Sequence, residues 1–121
     1  MELDNLLKEL AEELVGLKCS AVVGTDGLVI SQDVVSDDVD VPTLMVMFSS
    51  VFNTTKKASI EIGESGKLCS IHTFDNHYII MQEIGDLGFF VITCIDVASG
   101  NIGKARYMMN KLENRFYEEL K

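Results

Sequence analysis

KLCSIHTFDNHYIIMQEIGDLGFFVITCI, residues 67–95, holds three extended runs: Lys67 to Phe74, His77 to Ile84 and Phe89 to Ile95. They are separated only by Asp75-Asn76 and by Gly85-Asp86-Leu87-Gly88. Connections this short join strands that run antiparallel, because a parallel pair needs a crossover of a dozen residues or more. Phe89-Phe90-Val91-Ile92-Thr93-Cys94-Ile95 is almost wholly apolar, which places it in mid-sheet with both faces covered. Leu68-Cys69-Ser70-Ile71-His72-Thr73-Phe74 is half polar and fits an edge strand.

Upstream, Cys19 to Gly24 and Leu28 to Gln32 read as two more strands, joined by Thr25-Asp26-Gly27 with Gly supplying positive φ. Residues 33–41 mix four acids with four valines in neither period, and so read as a loop. Pro42 suits the first turn of a helix over 42–62, where its missing N–H has no intrahelical partner anyway. Two amphipathic helices flank these elements. Leu3, Leu6, Leu7, Leu10 and Leu14 form one stripe, with Gly16 placed to cap it. Ile102, Ala105, Met109, Leu112, Phe116 and Leu120 form the other. The resulting order is α-β-β-α-β-β-β-α, an α+β arrangement expected to occupy residues 1–121 as a single domain.

Composition sets the function classes. The net charge of −9 opposes non-specific nucleic-acid or anionic-membrane binding, since both reward a surplus of Lys and Arg. Residues 1–64 carry 12 acids and 4 bases, against 7 and 6 in the remainder, so the acidity sits in the first helix and the 33–41 loop. No apolar run reaches the length of a spanning helix, and Met1-Glu2-Leu3-Asp4 lacks the order of a secretory signal, which predicts a cytoplasmic protein without membrane insertion. Cys19, Cys69 and Cys94 are odd in number, lack C-x-x-C spacing and lie in apolar runs; all three are read as reduced core residues.

Catalytic and ligand motifs are weak. Gly66-Lys67 resembles the end of a phosphate loop, but Glu61 and Leu68 stand where Gly and Ser or Thr are required, and a strand follows rather than a helix. Cys69, His72 and His77 suggest zinc by type, yet Cys69 and His72 are an odd number apart on one strand and face opposite sides. Asp37, Asp38 and Asp40 read as solvated loop carboxylates, and no G-x-S-x-G elbow is present. No enzyme activity, cofactor or metal is expected.

The helix over 42–62 carries the sharper signal. Leu44, Met45, Met47, Phe48, Val51, Phe52, Ala58 and Ile62 spread over roughly 160°, wider than the ~100° stripe that packing on one sheet needs. No charge occurs from Val41 to Thr55. Such a helix packs on its own sheet with one side and on something else with another. The expected partner is a second copy of the chain. Met45, Phe48 and Phe52 would meet across the helices, while Leu68, Ser70 and His72 would lie along the paired edge strands. Val46, Ser49, Ser50 and Asn53 form the neutral flank left for a further partner.

These residues resemble the Roadblock/dynein light chain family over residues 3–120. The resemblance is carried by the leucine-striped helix ending at Gly16, by the Ala21-Val22-Val23-Gly24-Thr25-Asp26-Gly27-Leu28-Val29-Ile30-Ser31 hairpin, and by Asn101-Ile102-Gly103-Lys104-Ala105-Arg106 opening the last helix. It implies a five-stranded antiparallel sheet with the second helix on one face and the first and third on the other. It also implies dimers joined through second helices and third strands. Members are non-catalytic platforms: some regulate or scaffold small Ras-like GTPases, others attach to dynein motors. By resemblance the chain is expected to be a homodimeric regulator or scaffold of a small Ras-like GTPase; the alternative is a structural adaptor in a motor, motility or polarity complex. A small-ligand sensor is a third reading, for which the packed strands show no cavity. Arg106 and Arg115, on the flank of the last helix, read as solvated rather than as an arginine finger.

Overall fold

The computed structural model describes residues 2–121, Met1 of the N-terminal reading lying outside them. The elements run α1 (Glu2–Glu13), β1 (Leu17–Gly24), β2 (Val29–Val34), α2 (Val41–Glu61), β3 (Cys69–Thr73), β4 (His77–Glu83), β5 (Phe89–Asp96) and α3 (Ile102–Leu120). The strands form one antiparallel sheet in the order β2-β1-β5-β4-β3, so β5 is central and β3 is an edge, as their compositions imply.

Sheet alternation sorts the core into two layers. Val22, Ile80, Ile84, Val91 and Ile95 meet the leucines of α1 and the Ala105–Phe116 stripe of α3 on one face. Ala21, Val23, Ile79, Met81, Phe90 and Ile92 meet Val41, Met45 and Phe52 of α2 on the other. On the two-helix face, Arg115 donates to the Glu9 carboxylate at 3.1 and 3.0 Å, bonding α3 to α1. On the one-helix face, Phe52 stacks on Phe90 with ring centroids 4.5 Å apart.

Local signals terminate the elements. Gly16 leaves α1 at φ 85°, and a Cβ there would stand 2.7 Å from Ser99 Oγ and 3.0 Å from Gly100 N. Gly27 turns the β1–β2 connection at φ 88°, closed by Gly24 N–H donating to Leu28 O at 2.8 Å. Asp40 caps α2, accepting from Thr43 N–H at 3.3 Å and from the Thr43 hydroxyl at 2.9 Å, with Pro42 in the first turn.

Two expectations need correction. Asp33 and Val34 belong to β2 and pair with Ser20 and Cys19, so the loop is confined to residues 35–40. Cys69 is exposed rather than in the core, because β3 extends past the cover of α1 and α3, whereas Cys19 and Cys94 are buried as read. A bulge at Lys18 explains how Leu17 and Cys19, two apart, reach opposite faces: Leu17 pairs with Ile95 in one layer and Cys19 with Cys94 in the other.

Phe52→Ala is expected to cost about 3–5 kcal/mol in chemical denaturation, since it removes a fully buried ring and its stack. Arg115→Ala is expected to cost less than about 1 kcal/mol, its ion pairs being at the surface.

Candidate functional site

One flank of α2, with Phe48, Thr55, Ala58 and Ile62, lies toward the open edge of β3, and the helix turns an uncharged stripe away from the sheet. Val46 and Met47 are 60% and 63% exposed, and Ser50 and Thr54 continue the stripe at helical spacing, which carries no charge before Lys57. Met45 and Phe52, expected at a subunit interface, are each 1% exposed and belong to this chain's own core; their side chains point to the sheet. Phe48 is half-buried, its ring edge-on to His72 at 5.7 Å between centroids. Met47, read from the sequence as part of one broad apolar arc with Met45, is instead turned outward, as are Val46 and Ile60.

The neutral flank divides in the same way. Val46 and Ser50 are exposed as expected. Ser49 is buried, its hydroxyl donating to Val46 O at 2.8 Å, and Asn53 is half-buried, its amide donating to Thr25 O at 2.7 Å. Ser49 and Asn53 therefore help seat α2, Asn53 directly on the β1–β2 turn, and are corrected from partner-facing to packing residues.

The β3 edge can be read atom by atom. Glu83 N–H donates to Leu68 O at 2.9 Å and Phe74 N–H to His77 O at 2.8 Å, which fixes the parity of the β3–β4 ladder. Leu68, Ser70, His72 and Phe74 turn their backbone groups toward β4. Cys69, Ile71 and Thr73 turn theirs to the open side. The side chains alternate the other way: His72 lies under α2 against Phe48, and Ser70 Oγ hydrogen-bonds His72 Nε2 at 2.9 Å. Leu68, Ser70 and His72 thus supply side chains on the α2 face, while Cys69, Ile71 and Thr73 supply the free N–H and C=O groups. Sequence reading named the first set and missed the second, because which residues face an empty edge depends on ladder parity.

One half-buried ion pair, not legible in the sequence, fixes the approach to this edge. Glu83, 8% exposed on β4, accepts from Lys56 Nζ of α2 at 2.7 Å and from Leu68 N–H at 3.0 Å. Lys56 also donates to Gly66 O at 2.8 Å. The α2–β3 connection is thereby held against the sheet, and beside it an open apolar groove of about 450 Å³ is lined by Thr55, Ala58, Ile62, Leu68 and Cys69. Gly66 and Lys67 serve this connection, Lys67 pairing with Glu113 of α3. His72 and Cys69 are on opposite faces of β3, as alternation requires. Arg106 is exposed on α3. No described helix is long and apolar enough to cross a membrane.

The fold and the family agree. The Roadblock/LC7 domain description matches residues 3–96. Over 113 residues the chain is 31% identical to an uncharacterized protein of Methanocaldococcus jannaschii, covering 93% of this chain and 92% of that one. Among solved structures it is similar to MglB of Myxococcus xanthus, with a TM-score of 0.86 at 15% identity over 98% of this chain and 94% of that chain. A Roadblock/LC7 domain from Streptomyces avermitilis gives a TM-score of 0.81 at 17% identity, over 97% and 96% of the two chains. The chain belongs to the Roadblock/LC7 family.

Glu83→Ala is expected to cost about 2–3 kcal/mol, because Lys56 and Leu68 N–H lose a shared charged acceptor. Hydrogen exchange at Leu68 should accelerate, and Glu83→Gln, which keeps an acceptor oxygen, should lie between the two.

Proposed function

We propose that the chain is a homodimeric, non-catalytic platform in the cytoplasm that regulates or scaffolds a small Ras-like GTPase. The observation that carries the reading is the uncharged outer face of α2 lying alongside an edge strand with free hydrogen-bonding groups. A two-fold partner satisfies both at once: Cys69, Ile71 and Thr73 pair with the same strand of a second copy, and Val46, Met47 and Phe48 lose their contact with water. Leu68, Ser70 and His72 then line the seam beneath the helices. The resulting pair of α2 helices, with Ser50 near its rim, is a broad neutral surface suited to a folded partner. A net charge of −9 adds a preference for a partner that is not itself strongly acidic. Such a platform shifts the balance between the two nucleotide states only to the extent that it binds one state better. Family membership supports this reading, as does the similarity in fold to MglB.

Dimerisation is tested by light scattering after size exclusion. Ile71→Pro removes an N–H that β4 does not use, so the chain should fold and run as a monomer; Val46→Glu with Met47→Glu should act likewise from the helix side. Dimers of unchanged strength from both variants would end the homodimer model. For the partner, the immobilised protein should recover a small GTPase from native lysate in one nucleotide state, GDP or a non-hydrolysable GTP analogue, and not the other. Recovery that ignores nucleotide, or of motor and cytoskeletal proteins without a GTPase, would replace regulation with an adaptor role in a motility or polarity assembly.

A further inference from the structure

Beneath α2, at the end of the sheet where residues 35–40 cross, two cysteines face each other on neighbouring strands. Cys19 of β1 and Cys94 of β5 are directly opposite in the antiparallel register, and both side chains belong to the layer that Val41 and Met45 cover. Thr25 N–H donates to Gly88 O at 3.0 Å at the far end of the same ladder. Counting back from that bond by twos, with no register break between Cys19 and Gly24, makes Cys19 and Cys94 a hydrogen-bonded pair. Such pairs hold Cα atoms about 5.5 Å apart, inside the roughly 4.4–6.8 Å that a disulfide spans. The bulge at Lys18, one residue away, gives β1 room to adjust its twist as the two sulfurs close.

We propose that Cys19 and Cys94 are a reversible two-electron oxidation site that closes to an intrachain disulfide on exposure to a hydroperoxide. Cys94 is the attacking sulfur. It is 4% exposed against 1% for Cys19, and both thiols lie within electrostatic reach of the Lys18 ammonium, which pairs with Asp38 at 3.0 Å. A hydrogen bond from the Cys19 thiol, opposed by burial, helped by the Lys18 charge and countered in part by Asp38, holds the Cys94 thiol below its ordinary value. The same contact and burial push Cys19 up, so it keeps its proton until the second step. In the first step the Cys94 thiolate attacks the peroxide, forming S–O and breaking O–O, and the leaving oxygen departs as alkoxide or hydroxide to take up a proton. In the second, Cys19 sulfur displaces the sulfenic oxygen: S–S forms, S–O breaks, and the Cys19 proton leaves with that oxygen as water. A dithiol reductant returns two hydrogens and reopens the pair. Closure alters the floor on which Val41 and Met45 rest, and through them the seating of the α2 N-terminus.

The test uses the folded full-length chain carrying Cys69→Ser, which removes the exposed thiol and with it intermolecular disulfides. Titration with hydrogen peroxide should give a mass loss of about 2 Da that dithiothreitol reverses. Peptide mapping should link Cys19 to Cys94, and Cys94→Ser should abolish the change. A chain that instead gains oxygen at either cysteine without crosslinking, or that stays unoxidised while the Cys69 thiol of the parent protein reacts, would overturn the proposal. Dependence on Lys18 separates this chemistry from simple proximity: Lys18→Met should slow disulfide formation several-fold at neutral pH without preventing it. An unchanged rate would overturn the assignment of Cys94 as the activated sulfur.

Discussion

The stack of Phe52 on Phe90 is the contact on which the one-helix layer depends. Phe90 stands on β5, the central strand, and its ring lies 4.5 Å from that of Phe52 at an interplanar angle of 6°. With Met45 and Val41 completing the seat, α2 is held along a narrow stripe. A stripe of that width covers the sheet beneath it and nothing more. Twenty-one residues of helix are therefore fixed by one side, and the other side is left without a charge until Lys57. A lone soluble domain offsets such exposure with charge on the outer face. Here the outer face carries no charge over its first four turns, which is the observation on which the proposed interface rests.

The edges of the sheet are unequal in a way that reinforces this. At β2 the register slips between Val22 and Val23, leaving Ile30 as an extra residue that bends the strand, and Asp33 reaches Lys8 of α1 at 3.6 Å. Both features discourage another strand from adding on. At β3 the register with β4 is unbroken from Cys69 to Thr73, and Glu83 pins the connection that leads into it. A regular, anchored edge is a template for pairing, and it lies beside the uncharged helix face rather than across the sheet from it.

Much of this was legible in the sequence because it is written in local period. The three runs over 67–95 with two short connections determine antiparallel order, and an apolar β5 beside a half-polar β3 places one in the centre and the other at the rim. What stayed illegible depends on the third dimension. Met45 and Met47 are chemically identical and two positions apart, so hydropathy cannot say which one meets the sheet; the answer follows from where β5 puts Phe90. Cys69 sits in an apolar run and is exposed because neither α1 nor α3 extends over its face of that strand. Ser49 and Asn53 read as a neutral surface until Asn53 bonds the β1–β2 turn, 28 residues away in sequence. The Lys56–Glu83 pair, 27 residues apart, left no local trace.

The same reasoning shows why seat and surface cannot vary independently. Val41, Met45, Ser49 and Phe52 recur at spacings of four, four and three, so they define the line along which α2 touches the sheet. Rotating the helix by one position, about 100°, would bring Val46 into the seat and lift Met45 out, and apolarity alone would not resist it. Register is instead fixed by polar contacts to the sheet at two heights: Asn53 bonds Thr25 O in the middle, and Lys56 meets Glu83 near the end. Each is directional where the apolar contacts are not. A helix without charge on two sides needs such contacts to decide which side is core and which is left outward, and the polar residues of α2 make that decision.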